Sequence, residues 1–316
     1  MSFGSYSQDL VFSQYYNAPL NLNPGFVGNT DYPHFNINYR NQWPTFDAYV
    51  SYAASYDQYF HNARSGIGFM VVSDNLGGGI MVNNSLNFTY GYKLEFKSDW
   101  QLKIGVSSVL GQNRLDWSRL VFYDQIDPIN GFQEANTSAE IRPENLSKTY
   151  FGINTGVLLY NENWYVGTSF YNMNSPYQGF WNREYEKEGL PIRYSVHSGY
   201  TFVLNSENKN SFGSFITANI LATMQAGFIQ ITPGIAYQRE RLIAGVWYRN
   251  VVQHSDAAII SMGFLFDYFK IMYSYDITVS SLTIGSGGSH ELGIVFNLKN
   301  LSPKRSKINN CLKLFN

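Results

Sequence analysis

Leu86-Asn87-Phe88-Thr89-Tyr90-Gly91-Tyr92-Lys93-Leu94-Glu95-Phe96 sets Leu86, Phe88, Tyr90, Tyr92, Leu94 and Phe96 at every second position, with Asn87, Thr89, Gly91, Lys93 and Glu95 between them. A repeat of two belongs to an extended strand, whose successive side chains point to opposite faces. A helix, at 3.6 residues per turn, would scatter both sets around its axis. The split recurs along the chain. Phe35, Ile37 and Tyr39 alternate with Asn36, Asn38 and Arg40, and Ile192, Tyr194 and Val196 with Arg193, Ser195 and His197. Phe269, Ile271, Tyr273 and Tyr275 alternate with a face that carries Lys270, Ser274 and Asp276. About fourteen such segments fit between Tyr32 and Lys299. Most reach the ~9 to 11 residues with which a tilted strand crosses a bilayer. The alternation is weak from Phe212 to Gly227.

Composition explains why these faces are so apolar. Of 316 residues 17% are aromatic, including 25 Tyr and 23 Phe, and only 14% are charged. A soluble domain carries about a quarter charged residues, so this chain is poorly suited to facing water on all sides. No stretch approaches the roughly 18 to 20 continuous apolar residues of a membrane-spanning helix. The remaining structure that satisfies every backbone group in lipid is a closed barrel. A net charge of −1 excludes a nucleic-acid partner, which needs a concentrated excess of Lys and Arg. The lone Cys311 excludes a disulfide framework and a thiolate pair. Met1 to Ser7 is small or aromatic and uncharged; it reads as the remnant of a trimmed signal, with the mature chain starting near Gln8.

Connection lengths give the barrel a direction, because outer-membrane barrels have short periplasmic turns and longer outer loops. From a periplasmic N-terminus, the inner turns are His61-Asn62-Ala63, Lys97-Ser98-Asp99, Asn161-Glu162-Asn163, Asn205 to Asn210, Gln238 to Arg241 and Asp267-Tyr268. All are short. The outer connections are Asp74 to Gly79, Asn113 to Leu146, Asn174 to Gly189, Val251 to Ser255 and Ser280 to Ser289, with a tight turn near Ala226. A soluble sandwich offers no reason for lengths to alternate in this way. Trp43, Tyr59, Phe60, Trp100, Tyr160, Trp164, Trp247 and Tyr268 fall at strand ends, where an interfacial aromatic girdle is expected. The sequence therefore predicts an all-β, antiparallel up-and-down transmembrane barrel of a Gram-negative outer membrane. Both termini are expected in the periplasm and the long loops outside.

Three regions follow. Residues 1–30 hold the signal remnant and then, from Gln8 to Thr30, a segment with Pro19, Pro24, Gly25 and Gly28 but no sustained alternation; it is a periplasmic lead-in or a plug. Residues 31–300 form the barrel. Residues 301–316, with Lys304, Arg305, Lys307 and Lys313, read as a basic periplasmic tail.

Chemistry-bearing constellations are sparse. The five histidines, His34, His61, His197, His254 and His290, show no metal-site spacing. His290 and Glu291 point to opposite faces of one strand. His197 shares the lumenal face with Ser195 and Arg193, the seed of a Ser-His hydrolase; polar residues that wet any barrel interior are the stronger reading. Asp116, Asp124 and Asp127 in the long outer loop suit a hard cation, although solvation explains them more simply. There is no nucleophile elbow, phosphate loop or dinucleotide fingerprint. The sequence thus points to no enzyme, no catalytic residue, no metal and no cofactor.

Particular words then narrow the class. The run Phe12-Ser13-Gln14-Tyr15-Tyr16-Asn17-Ala18-Pro19-Leu20-Asn21-Leu22-Asn23-Pro24-Gly25-Phe26-Val27-Gly28 resembles the opening of the PorP/SprF family of Bacteroidetes type IX secretion membrane proteins. Tyr39-Arg40-Asn41-Gln42-Trp43-Pro44, Ser55-Tyr56-Asp57-Gln58 and Leu115-Asp116-Trp117-Ser118 with Asp124-Gln125-Ile126-Asp127 are similar to it too. So are Tyr273-Ser274-Tyr275-Asp276 and Gly288-Ser289-His290-Glu291. Gly25 departs from the family's more usual Ala, and Asn205 to Gln225 carries little resemblance.

The resemblance implies a non-enzymatic outer-membrane component of type IX secretion. It would bind or anchor secreted proteins through type B C-terminal domains, as in large adhesins, and would meet secretion or gliding components and outer-membrane lipid. Candidate partner-binding or plug-locking residues are Tyr15, Tyr16, Asn17, Arg40, Asn41, Gln42, Trp43, Asp116, Trp117, Asp124 and Asp127. For Arg40, tethering the N-terminal segment to the lumen is preferred to direct cargo contact. The alternative function is an outer-membrane channel or hydrophobic-ligand transporter.

Overall fold

A computed structural model describes residues 9–96, 99–127, 129, 131–132, 138–180, 189–205, 213–252, 254–279, 287–298 and 310–315. Met1 to Ser7, expected from the sequence to be a signal remnant, the turn residues Lys97 and Ser98, most of the Asn205 to Asn210 and Ser280 to Ser289 connections, and Lys304, Arg305 and Lys307 lie outside them.

Sixteen strands are numbered in chain order. They are β1 (His34–Gln42), β2 (Tyr49–Phe60), β3 (Ser65–Leu76), β4 (Met81–Glu95), β5 (Gln101–Leu115), β6 (Ile126–Asp127), β7 (Gly131–Phe132) and β8 (Ser147–Tyr160). Then come β9 (Trp164–Tyr171), β10 (Arg193–Asn205), β11 (Ser214–Gln225), β12 (Phe228–Arg239), β13 (Leu242–Val251), β14 (His254–Leu265), β15 (Phe269–Thr278) and β16 (Ser289–Asn297). Fourteen form a closed antiparallel barrel in which each pairs with its sequence neighbours and β1 pairs with β16; β6 and β7 make a separate hairpin in the longest loop. Closure leaves the wall without an exposed edge along most of its length, which hydrocarbon requires.

The wall is inverted relative to a soluble protein. Phe88 is 42% exposed and Thr89 only 2%, so apolar side chains face out and polar ones face in, as lipid demands. The two longest gaps between barrel strands, after β5 and β9, span residues 116–146 and 172–192 and fall at the same end of the barrel, while those after β2, β8 and β12 at the other end are short.

Three features depart from the sequence reading. Tyr59, Tyr160 and Trp247 are buried inside the barrel and do not join an outer girdle, because strand parity outweighs position along the strand. Trp100 and Trp164 do meet edge to face at the short-turn end, with centroids 5.6 Å apart. Next, β11 is a complete strand paired over its full length with β12. Its alternation is weak because Phe215 and Leu221 point inward, into a lumen that is itself partly apolar. Finally, the chain end is not simply a solvated basic tail. A 3-10 helix at Asn310–Phe315 buries Leu312, Leu314 and Phe315 within the barrel, so its apolar residues decide its place.

Candidate functional site

The lumen is filled by the residues that precede the first strand. Pro19 opens one turn of α-helix and Pro24 a 3-10 turn; proline suits a first helical position because its fixed φ is already helical and its missing N–H would have no partner there. Asn23 sets the second turn by accepting the Gly25 N–H at 2.7 Å. Turns in place of regular periodicity let the segment coil within the barrel. Phe12, Gln14, Tyr16, Asn17, Asn23, Phe26 and Val27 are almost wholly buried.

A row of glycines makes room for it. Gly66, Gly91, Gly105 and Gly156 stand directly opposite one another across β3, β4, β5 and β8. A Cβ on Gly105 would sit 2.2 Å from the Pro24 carbonyl oxygen, and one on Gly156 1.9 Å from Asn23 Oδ1. The wall is bare of side chains along this row, and residues 23–28 run against it.

Buried charge clamps the front of the segment. The Arg40 guanidinium on β1 donates to Ser13 Oγ, to Glu291 Oε2 at 3.0 Å and to Asp276 Oδ2 at 3.1 Å. Arg249 on β13 reaches the same Asp276 oxygen at 3.0 Å and Ser13 Oγ at 2.9 Å. Glu291 accepts the Ser13 and Gln14 backbone N–H groups, both at 2.9 Å. Two guanidiniums thus balance two carboxylates; the segment's backbone N–H groups complete Glu291 and Ser13 Oγ donates to Asp276 Oδ2, while Asp276 Oδ1 has no hydrogen-bond partner among the described residues. That balance is what a buried ionic group needs. Arg40 and Glu291 are paired across the β1 to β16 closure, so the clamp joins the two ends of the sheet.

Further contacts hold the rest. Lys103 Nζ donates to the Val27 and Gly28 carbonyls at 2.6 and 2.8 Å, and Asp57 accepts the Gly28 N–H at 2.7 Å. Arg193 donates to the Leu10 and Asn21 carbonyls. His197 sits 3.0 Å from Asn23 Nδ2, with its ring stacked on Phe26. It is enclosed and packed, which fits a structural contact better than a Ser-His hydrolase. Phe315 stacks on Phe26 at 4.5 Å, and Lys270 donates to the Leu314 carbonyl at 2.9 Å, so the chain end packs on the N-terminal segment.

The candidate residues fall in two separate places. Tyr15 donates to Asn219 Oδ1 at 2.6 Å, Tyr16 stacks on Trp247, and Asn17 donates to Gln14 Oε1 at 2.6 Å. With Arg40 they belong to the lumen. Gln42 accepts from Arg40 at 3.2 Å, Asn41 is half-buried beside it, and the Trp43 N–H donates to the Gly288 carbonyl at the long-loop rim. Asp116, Trp117, Asp124 and Asp127 lie apart in the loop.

There Asp116 and Asp127 each close a local turn, and Asp124 ties across the loop. Asp116 accepts from the Ser118 hydroxyl at 2.6 Å, Asp124 from Ala139 N–H at 2.6 Å and Ser138 Oγ, and Asp127 from Ile129 N–H at 2.8 Å. The Ser118 hydroxyl holds the Asp116 carboxyl below the ordinary range, and the Ala139 N–H, then the Ser138 hydroxyl, does so for Asp124. Among the described residues no group of three or more His, Cys, Asp or Glu is placed to hold a metal. Trp117 packs on Phe122, with ring centroids 4.9 Å apart.

Ser13, Asp57, Lys103, Arg249, Asp276 and Glu291 are site residues that sequence reasoning alone does not single out. Ser13, Asp57, Asp276 and Glu291 do fall within the motif words quoted for the resemblance, but for Lys103 and Arg249 the one signal is parity, a charge on the polar face of an alternating strand.

A family model described as type IX secretion system membrane protein PorP/SprF matches residues 4–296. No curated protein sequence matches. Among solved structures, the Acinetobacter baumannii outer membrane protein Omp33 aligns at 8% identity and TM-score 0.43, over 84% of this chain and 99% of that one. A Pseudomonas aeruginosa FadL homologue aligns at 11% and 0.44, over 87% and 92%. A TodX monoaromatic hydrocarbon channel mutant aligns at 10% and 0.45, over 89% and 92%.

Proposed function

Because the chain belongs to the PorP/SprF family of type IX secretion system membrane proteins, we propose that this outer-membrane barrel is a non-enzymatic receptor and scaffold for secreted proteins. It binds their type B C-terminal domains and aids export or surface attachment, in gliding species of large adhesins. The long loops at residues 116–146 and 172–192 face the cell exterior and meet the cargo. The short turns and both termini face the periplasm, where secretion or gliding components meet them.

The observation that carries this reading is the filled lumen. A segment clamped by Arg40, Arg249, Asp276 and Glu291 and seated on the glycine row favours a rigid platform over a transport path. Recognition then belongs to loops held by a stiff scaffold. Tagged barrel purified from its native outer membrane is expected to bring down a secreted C-terminal domain or a secretion component; recovery of neither counts against the proposal. Planar-bilayer recording separates the channel alternative, since a large, steady current through the intact chain would favour transport.

A further inference from the structure

At one end of β8 the wall has a strand with a neighbour on only one side. β8 pairs with β5 from Ser147 to Tyr160, but with β9 only from Thr155 to Tyr160. β9 ends at Tyr171, eight residues long against fourteen for β8. The chain after β9 covers part of the gap. Met173 N–H donates to the Ile153 carbonyl at 2.9 Å, and the Asn174 carboxamide accepts the Ile153 N–H at 3.0 Å and donates to the Phe151 carbonyl at 2.7 Å. Asn174 thus does with a side-chain amide what the next peptide of a neighbouring strand would do. Beyond it, among the described residues, no strand pairs with Ser147 to Tyr150 on the side away from β5.

A cavity of about 300 Å³ opens beside that stretch, bounded by Lys148, Thr149, Tyr150, Asn174, Pro176 and Tyr177 among others. The Lys148 ammonium lies over the Tyr177 ring at 5.3 Å. Among the described residues that line the cavity it is the one charge, and none of them is a carboxylate. Fourteen residues tilted by about 40° rise roughly 35 Å, against an apolar band of roughly 25 Å. The upper end of β8 therefore stands in water above the lipid.

We propose that the β8 edge at Ser147 to Tyr150 is a docking site for an extended peptide strand that carries a carboxylate opposite Lys148. The row of backbone groups requires a complement at strand spacing, which a peptide supplies and a lipid tail does not. The position Asn174 takes shows the register in which an amide meets this edge, and the Lys148 ammonium, which has no carboxylate partner among the described residues, sets the sign of the incoming charge. The strand comes from the secreted partner, which rests on the function proposed above.

The test uses the full-length barrel in detergent micelles and a fluorescein-labelled hexapeptide, Thr-Val-Glu-Val-Thr-Val, with its backbone N-methylated counterpart, followed by fluorescence anisotropy. Saturable binding is expected, and at least roughly tenfold weaker binding of the N-methylated peptide, which lacks the donors. Thr149 has the parity of Phe151 and Ile153, whose backbone groups point away from β5. Thr149→Pro removes a donor from the open edge and none from the β5 ladder, so it is expected to weaken binding comparably. Lys148→Glu is expected to weaken it too, and carries the comparison if the proline variant loses its heat-modifiable migration. Absence of saturable binding, equal binding of both peptides, or wild-type binding by both variants overturns the proposal. If the peptide fails while cargo is recovered from native membrane, the edge falls and the secretion role stands. Peptide binding without cargo recovery keeps the edge as a strand-docking site and removes the secreted partner as the source of the strand.

Discussion

At the scale of single residues, Arg40 carries the largest consequence. It is buried with two carboxylates, so Arg40→Ala leaves Asp276 with Arg249, takes from Glu291 its guanidinium partner, and takes a donor from Ser13. Breaking a buried ion pair by removing one partner costs about 3 to 5 kcal/mol. The variant is expected to melt earlier in detergent and to expose residues 9–30 to protease. Arg40→Lys should recover little, because a point charge cannot bridge both carboxylates and Ser13 as the planar fork does. Gly105→Val tests the opposite side of the segment. Its Cβ would occupy the space of the Pro24 carbonyl, so β5 should stay paired while residues 23–28 become cleavable; unchanged protection would contradict the role given to the glycine row. Arg40 stands out in the sequence as a charge on an otherwise neutral strand. Its companions do not, since no spacing links Arg40 to Arg249, Asp276 or Glu291 until the barrel closes.

Elements are legible in the sequence to the extent that lipid wrote them. Where the outer face meets hydrocarbon and the inner face is polar, as in β4, alternation is plain. Along β11 the inner face packs on an apolar interior, and the contrast between the two faces drops. The same cause hides the role of Tyr59, Tyr160 and Trp247: an aromatic near a strand end looks alike from sequence whether it meets lipid or the filled lumen. The hairpin of β6 and β7 is too short for periodicity to reveal. It sits in a loop pinned by Asp124 on Ala139 and Ser138. Because that carboxyl is held below its ordinary value, the contact is fully present above the unfolded pKa and is lost as pH falls through the lowered one. Pepsin cleavage of the 116–146 loop, taken relative to an unstructured control peptide at each pH, is expected to accelerate below about pH 4, and Asp124→Ala should remove that relative pH dependence.

For the whole molecule, the two long connections read from the sequence recur in the barrel after β5 and β9, whereas the filling of the lumen could not be read from period or spacing. A chain lacking residues 9–30 is expected to give a steady current in planar bilayers where the intact protein gives none; equal currents would mean that the segment does not close the path. The clamp also bears on when the protein is finished. Ser13 and Gln14 contact Glu291 on the last strand, and Ser13 also contacts Arg40 on the first, a separation of 251 residues between those two wall side chains. Contacts so distant in sequence form late, because their chain-closure entropy must be met first. The earliest-made part of the chain therefore waits, unfastened, for the last strand to arrive. A protected N-terminus is thus a readout of completed assembly, by which a finished barrel is told from one that stalled a strand short.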